Sequence, residues 1–266
     1  DAYNEKFDEL QRFADKVSHR WSKLAEESGR REKEPYLRHY DGYINRIDRV
    51  VRPAEMLVLE KEIFGEGIFS SRIDQWERFI KFILLSENGE HGIVCPMTCT
   101  EGLIHAIEDL TDSKTRAPEL TAILQHCKEG IDGDFAVGAQ FLSEIQGGSD
   151  VPANLVEAEY NGINWKLHGT KFFCSAIHAY YFVVTAKPTN SEKVALFIVP
   201  AWLSGNKEKE IRNGYTIDKL KIKMGTIQVP TAELTFKGAI AYPVGALDRG
   251  VANVVGIVLS YSRVTV

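Results

Sequence analysis

The chain has 266 residues, 32 Lys+Arg against 37 Asp+Glu, a formal net charge of −5, and 44% apolar and 26% charged residues. These proportions exclude wholesale disorder, collagen-like repeats and coiled coil, and the mild acidity offers nucleic acid no general attraction. At about 150 residues per domain the length corresponds to one large domain or two small ones, and no run of about 18 apolar residues predicts a membrane-spanning helix.

The first 130 residues read as helical. Leu10, Phe13 and Val17 recur at helical spacing, and Trp76, Phe79, Ile80, Ile83 and Leu84 define one apolar stripe, which Ser71 is placed to cap and Asn88-Gly89 to stop. Further helices are expected from about Thr100 through Leu110, and after Pro118 through Leu124. Beyond Gly133 the period becomes two: Phe135, Val137, Ala139 and Phe141 alternate as in a half-buried strand. Val156 to Leu167 reads as a hairpin with a two-residue Asn161-Gly162 turn. Tyr181–Ala186, Val194–Pro200 and Ala232–Phe236 are further strands. Many strands without intervening helices indicate an antiparallel barrel or sandwich. From Gly250, Val251, Val254, Val255, Val258 and Leu259 suggest a helix apolar nearly all round, of the kind buried in a bundle. The expectation is therefore a fragment, or a chain whose bundle is completed elsewhere.

Cys95, Cys99, Cys127 and Cys174 form no CxxC pair and read as reduced core thiols. His105, His126, His168 and His178 have no ligand-set spacing and read as surface or satisfied core histidines. Two stretches carry more information. Gln140 to Asp150 leaves a strand and enters a loop with Gly147-Gly148-Ser149-Asp150. Adjacent glycines let backbone N–H groups approach a ligand with many acceptors, a phosphate or a heterocycle, while the same residues also make an ordinary tight turn. No Gly-Lys-Ser/Thr follows and no helix comes next, so neither a P-loop nor a dinucleotide fingerprint is present. Leu167 to Ala176 ends a strand with a Gly turn, two aromatics and a hydroxyl. That is either simple core or a cover for a flat conjugated ring.

Taken together, Ser143-Glu144-x-x-Gly147-Gly148-Ser149-Asp150 followed by Gly169-x-Lys171-Phe172-Phe173-x-Ser175 resembles the flavin-binding middle domain of the acyl-CoA dehydrogenase superfamily. Cys95-Pro96-Met97-Thr98, at an expected turn between helices, Lys219 to Gly225, Gly238 to Gly245 and Ser262-Arg263 extend the likeness, which is greatest to the AidB-type (alkylation-response) branch. The resemblance implies an α+β protein: a helical N-terminal domain (1–132), an antiparallel β-barrel middle domain (133–246) and the first helix of a C-terminal helical bundle (247–266). It implies FAD as cofactor, an acyl-CoA thioester as substrate or ligand, and a homo-oligomer, dimer or tetramer, in the cytoplasm or the mitochondrial matrix. DNA enters only by analogy with the AidB-type branch.

By the same resemblance, Ser143 with the Leu142 backbone meets the pyrimidine edge of the flavin, and Ser149 beside Gly148 meets its pyrophosphate. Phe173 covers the ring and Ser175, next to Cys174, places a hydroxyl near N5 and O4, where donors stabilise the reduced ring. Arg263 matches an arginine near the substrate and flavin. The family's α-proton base is a glutamate, usually late in the bundle and in a minority of members just before that arginine. Here that position is Ser262, so the base is expected outside this sequence. Ile227 stands where an arginine commonly follows Met-Gly. An AidB-type flavoprotein that binds acyl-CoA or DNA with little turnover is the alternative function.

Overall fold

The computed structural model describes residues 2–262, with side chains described for 6–260; Arg263 lies outside the described residues. Helix α1 (Ala2–Asp15) runs through a π-helical segment (Lys16–Trp21) into α2 (Ser22–Ser28). Phe13, Val17, Trp21 and Ala25 are all buried. A strict spacing of four overshoots an α-helical turn by about 40° per step, and the wider π turn keeps the four side chains on one face.

The segment expected to be wholly helical contains a hairpin, β1 (Tyr36–Tyr40) with β2 (Arg46–Val51), paired Tyr36 to Val51. Asp41 makes its turn by accepting from the backbone N–H groups of Tyr43 and Asn45. Helices α3 (Ala54–Gly65), α4 (Gln75–Ser86), α5 (Val94–Leu110) and α6 (Pro118–Lys128) follow. Asp74, not Ser71, caps α4, its carboxylate accepting from the Glu77 N–H at 2.9 Å. The stripe of α4 also faces the other way from its expected role: Trp76, Ile80 and Ile83 are exposed, while Glu77, Lys81, Phe82 and Leu85 are buried. The reason is ionic: the Lys81 amine is held at 2.8 Å by both Glu9 of α1 and Glu77. Helix α5 begins earlier than its periodicity indicated, so Cys95-Pro96-Met97-Thr98 forms its first turn rather than a turn between helices. Glu90 supplies the cap, both carboxylate oxygens accepting from the Cys95 N–H.

Seven strands build the barrel: β3 (Gly138–Phe141), β4 (Glu157–Tyr160), β5 (Trp165–Ser175), β6 (Tyr181–Pro188), β7 (Ala195–Pro200), β8 (Tyr215–Leu220) and β9 (Thr231–Val244). The order is β3-β6-β4-β5-β9-β7; β6 also pairs β7 and closes the ring, while β8 pairs β9. Most pairings are antiparallel, as expected, but β3 and β4 both run parallel to β6. The hairpin between β4 and β5 is closed by Asn161–Asn164, longer than the two-residue turn expected, because the Asn161 side chain accepts from both Ile163 and Asn164 N–H. Strand β5 does not end at Gly169 but continues through two bulges against β9, one between Leu167 and His168 and one between Lys171 and Cys174. The second bulge matters most, because it buries Lys171 and Cys174 and leaves Phe173 exposed.

Helix α7 (Gly250–Asn253) packs on β7 and leads into a π segment (Val254–Val258) and α8 (Leu259–Ser262), which lie across α5. A Cβ on Gly102 would sit 2.8 Å from the Val258 carbonyl oxygen, so glycine permits the crossing. One apolar core runs from Phe13 through the barrel to Val258.

Candidate flavin-type site

The loop from β3 to β4 is fixed from below by a buried polar cluster. Glu144, Asn154, Lys171 and Thr185 are each at most 3% exposed. The Glu144 carboxylate accepts from the Lys171 amine at 2.7 Å and from the N–H groups of Leu155 and Val156 at 2.6 and 3.2 Å. Lys171 also donates to the Leu142 carbonyl and to Thr185 Oγ1, and Asn154 Nδ2 donates to the same two acceptors at 3.0 and 2.8 Å. Burial pushes the Lys171 amine below its ordinary pKa, and the Glu144 charge pulls it back. An ion pair this deep holds only because further hydrogen bonds satisfy it.

This cluster positions the loop's upper surface. The Ser143 carbonyl accepts from the Phe172 N–H at 3.0 Å, which ties the loop to β5. Glu144 and Gly147 exchange backbone hydrogen bonds in a tight turn, with Gly147 at φ 151°. A Cβ on Gly148 would lie 2.6 Å from Ser143 Oγ, so glycine there lets the loop fold back on its own serine. Gly148 and Ser149 are exposed, Leu142 and Ser143 half-buried.

On β5, Phe173 is 46% exposed, one of few large rings that the barrel turns outward. Ser175 is half-buried, its Oγ 3.2 Å from Thr231 Oγ1. Phe172 lies beneath the Lys221 amine. Cys174 is wholly buried and its thiol is pushed up by that burial, so only its main chain can face a ligand. The structure thus brings Leu142, Ser143, Phe173 and Ser175 together through the bond between Ser143 and Phe172, with Gly148 and Ser149 at the outer end of the loop. Glu144 and Lys171 lie within the two motifs, and the resemblance assigns them no part. Their signal is a carboxylate just after β3, beside Ile145, and an amine inside β5, beside Phe172.

The histidines sit in other settings. His126 Nδ1 is 2.9 Å from Tyr181 OH, and His178 Nε2 is 2.9 Å from Glu60, itself held by Arg52. His168 is exposed. Among the described residues no His/Cys/Asp/Glu group could hold a metal, and no helix is long and apolar enough to cross a membrane.

Residues 139–239 match the acyl-CoA dehydrogenase middle domain. The chain is 28% identical over 265 residues to acyl-CoA dehydrogenase family member 11 of Caenorhabditis elegans, covering 92% of this chain. It is 26% identical over 239 residues to the putative acyl-CoA dehydrogenase AidB of Escherichia coli, covering 82% of this chain. It spans only 42% and 41% of those two relatives. The crystal structure of the nematode protein, ACDH-11, in complex with C11-CoA superposes with a TM-score of 0.85 at 25% identity, over 98% of this chain and 46% of that one. An acyl-CoA dehydrogenase from Bacillus anthracis, solved with FAD, shares the fold at a TM-score of 0.61 and 18% identity, over 79% of this chain and 36% of that one.

Proposed function

We propose that the chain belongs to the acyl-CoA dehydrogenase superfamily, on the middle-domain match and the similarity to its relatives, and is part of an FAD-dependent acyl-CoA dehydrogenase, with domains divided near residues 132 and 246. The observation that carries this reading is the half-exposed Phe173 ring beside the Ser175 hydroxyl, on the strand to which the Ser143 loop is bonded. The fit is chemical as well as topological. A flat heterocycle with several acceptors needs an aromatic cover and short-range donors, and a diphosphate needs exposed main-chain N–H groups at a glycine turn. Phe173, Ser175 and Ser143 supply the first set, Gly148 and Ser149 the second.

Bound FAD supplies the two-electron acceptor for the β-hydride of an acyl thioester. The rest is the work of this chain. Leu142 and Ser143 hold the pyrimidine edge, and the Glu144–Lys171 pair keeps them in place. Phe173 excludes water from one face of the ring. Ser175 offers its hydroxyl at the nitrogen that receives the hydride, where a hydrogen bond aimed in advance costs no rearrangement during reaction. Cys174 contributes main chain only; Arg263, outside the described residues, has a supporting role toward the acyl thioester by the resemblance alone. The α-proton is assigned to no described residue. The protein works as a homo-oligomer, dimer or tetramer.

A second reading is supported by the likeness to AidB and by the ACDH-11 structure, which was solved with C11-CoA bound. On it, the protein holds FAD and acyl-CoA with little turnover. The two separate in one anaerobic experiment. Acyl-CoA added to the FAD-loaded protein bleaches the flavin bands if the protein dehydrogenates, and only shifts them if it sequesters. A protein that takes up no FAD refutes both. The net charge of −5 gives DNA no comparable support.

A further inference from the structure

The Ser175 hydroxyl belongs to a chain of hydrogen bonds that leads away from the proposed ring. Its partner Thr231 is 1% exposed and sits opposite it in the β5–β9 register. Thr231 Oγ1 lies 3.2 Å from Ser175 Oγ, 3.1 Å from the Val229 carbonyl and 2.9 Å from the Lys223 amine. Lys223 spends its other donors on the Val229 carbonyl at 2.8 Å and on Thr226 Oγ1 at 3.3 Å. Lys223 is itself faced by Glu90 and Cys95, at the start of α5.

Donor counting makes this chain bistable. An ammonium only donates and a carbonyl only accepts, while a hydroxyl has one hydrogen and two lone pairs. Lys223 therefore always occupies one lone pair of Thr231, and the single Thr231 hydrogen has two takers, Ser175 and the Val229 carbonyl. If it points to Ser175, the Ser175 hydrogen is released toward the ring. If it points to Val229, Ser175 donates back to Thr231 and turns a lone pair toward the ring. The two arrangements contain the same hydrogens and differ only in two hydroxyl torsions.

Resting on the flavin reading above, we propose that Lys223 and Thr231 are positioning residues that let Ser175 donate to the ring nitrogen when it is oxidised and accept from it once it carries hydrogen. The oxidised nitrogen is an acceptor and the reduced one a donor, so a hydroxyl with a fixed partner would serve one state and oppose the other. The relay serves both. The Lys223 charge also favours the form of the ring that gains electron density, and passes that preference along polarised hydrogen bonds.

The test is the reduction potential and the FAD dissociation constant of the purified FAD-loaded protein, measured for the wild type, Lys223→Met, Thr231→Val, Thr231→Ser and Ser175→Ala. Lys223→Met and Thr231→Val should each weaken the reduced state about tenfold against the oxidised one, a fall of about 30 mV for a two-electron couple. Thr231→Ser should restore the wild-type value, since it keeps the hydroxyl. Oxidised FAD should bind Lys223→Met, Thr231→Val and Thr231→Ser within about threefold of the wild type, because the oxidised ring needs only the Ser175 hydrogen, whereas Ser175→Ala, which lacks that hydrogen, should bind it more weakly. Unchanged potentials in both variants, with Ser175→Ala shifted, would overturn the relay and leave the flavin reading standing. A Thr231→Ser variant that behaves like Thr231→Val would also overturn it, by assigning the effect to packing. A wild-type protein that binds no FAD would remove the flavin reading and the relay with it.

Discussion

Strand β5 carries two polar centres four residues apart, and they are built in opposite ways. At Lys171 every donor is committed to an acceptor that cannot move: Glu144, the Leu142 carbonyl and Thr185, all wrapped in core. At Ser175 the partner is a threonine whose single hydrogen has two acceptors in reach. The bulge between Lys171 and Cys174 separates them, turning one centre inward and the other toward the surface. The inner centre fixes where a loop stands; the outer one keeps a rotational choice. A binding surface whose ligand changes its hydrogen-bonding character needs both, a rigid frame and an adaptable contact.

The sharpest way to break the contrast is to unpair the inner centre. Lys171→Met leaves the Glu144 carboxylate buried without its cation, and denaturant unfolding should show a loss of about 3–5 kcal/mol. Changing both partners, with Glu144→Gln added, should recover much of that loss, since an uncharged amide is far less costly to bury. Equal losses in the single and double variants would mean that the pair is not what holds the loop.

The next effect in size is pH-dependent and lies on the flank of the outer centre. Burial pushes the Glu90 carboxyl up to about 7, against the opposing pull of the Cys95 N–H and of Lys223. Cys95, Cys99 and Lys223 are the groups that face it. With its pKa raised on folding, Glu90 keeps a proton that the unfolded chain has already released. Its contribution is full in acid below the ordinary carboxylate range and is lost as the pH rises through about 7. Stability measured from about pH 5 to pH 8 should fall by at most about 3 kcal/mol through this group, and Glu90→Gln should flatten that part of the slope. An unaltered slope in Glu90→Gln would place the pH dependence elsewhere.

A smaller and more local effect is expected at Gly148. The Cβ of Gly148→Ala collides with Ser143 Oγ, so the serine must move while the buried frame beneath it stays. FAD affinity should fall about tenfold, or about 1.4 kcal/mol, with little change in thermal stability. A fall in both would show that loop surface and frame are not separable.

The barrel was largely legible because its strands announce themselves by period and by apolar runs; β7, buried at every position, is the clearest case. The order of the site motifs was legible too, through the glycines and serines of the loop and the paired phenylalanines of β5. Strand β8, interrupted by Asp218 and Lys219, was not expected, and three further features were hidden. The β1–β2 hairpin follows helices in a polar stretch, and its Asp41-Gly42 turn is a weak signal beside the charges around it. The orientation of α4 was misread because periodicity locates a stripe without saying what it faces, and the Lys81 ion pairs decided the matter. The Thr231–Lys223 relay joins residues far from Ser175 in sequence through β9 register, which no local pattern encodes.

The measurement that bears most directly on the account is the visible absorption spectrum of the purified protein after loading with FAD, compared with Ser175→Ala loaded in the same way. The account predicts bound flavin bands in both, displaced from those of free FAD, with the band positions of the variant shifted from the wild type by loss of the hydroxyl at the ring. Protein that stays colourless after loading, or a Ser175→Ala spectrum indistinguishable from that of the wild type, would contradict it.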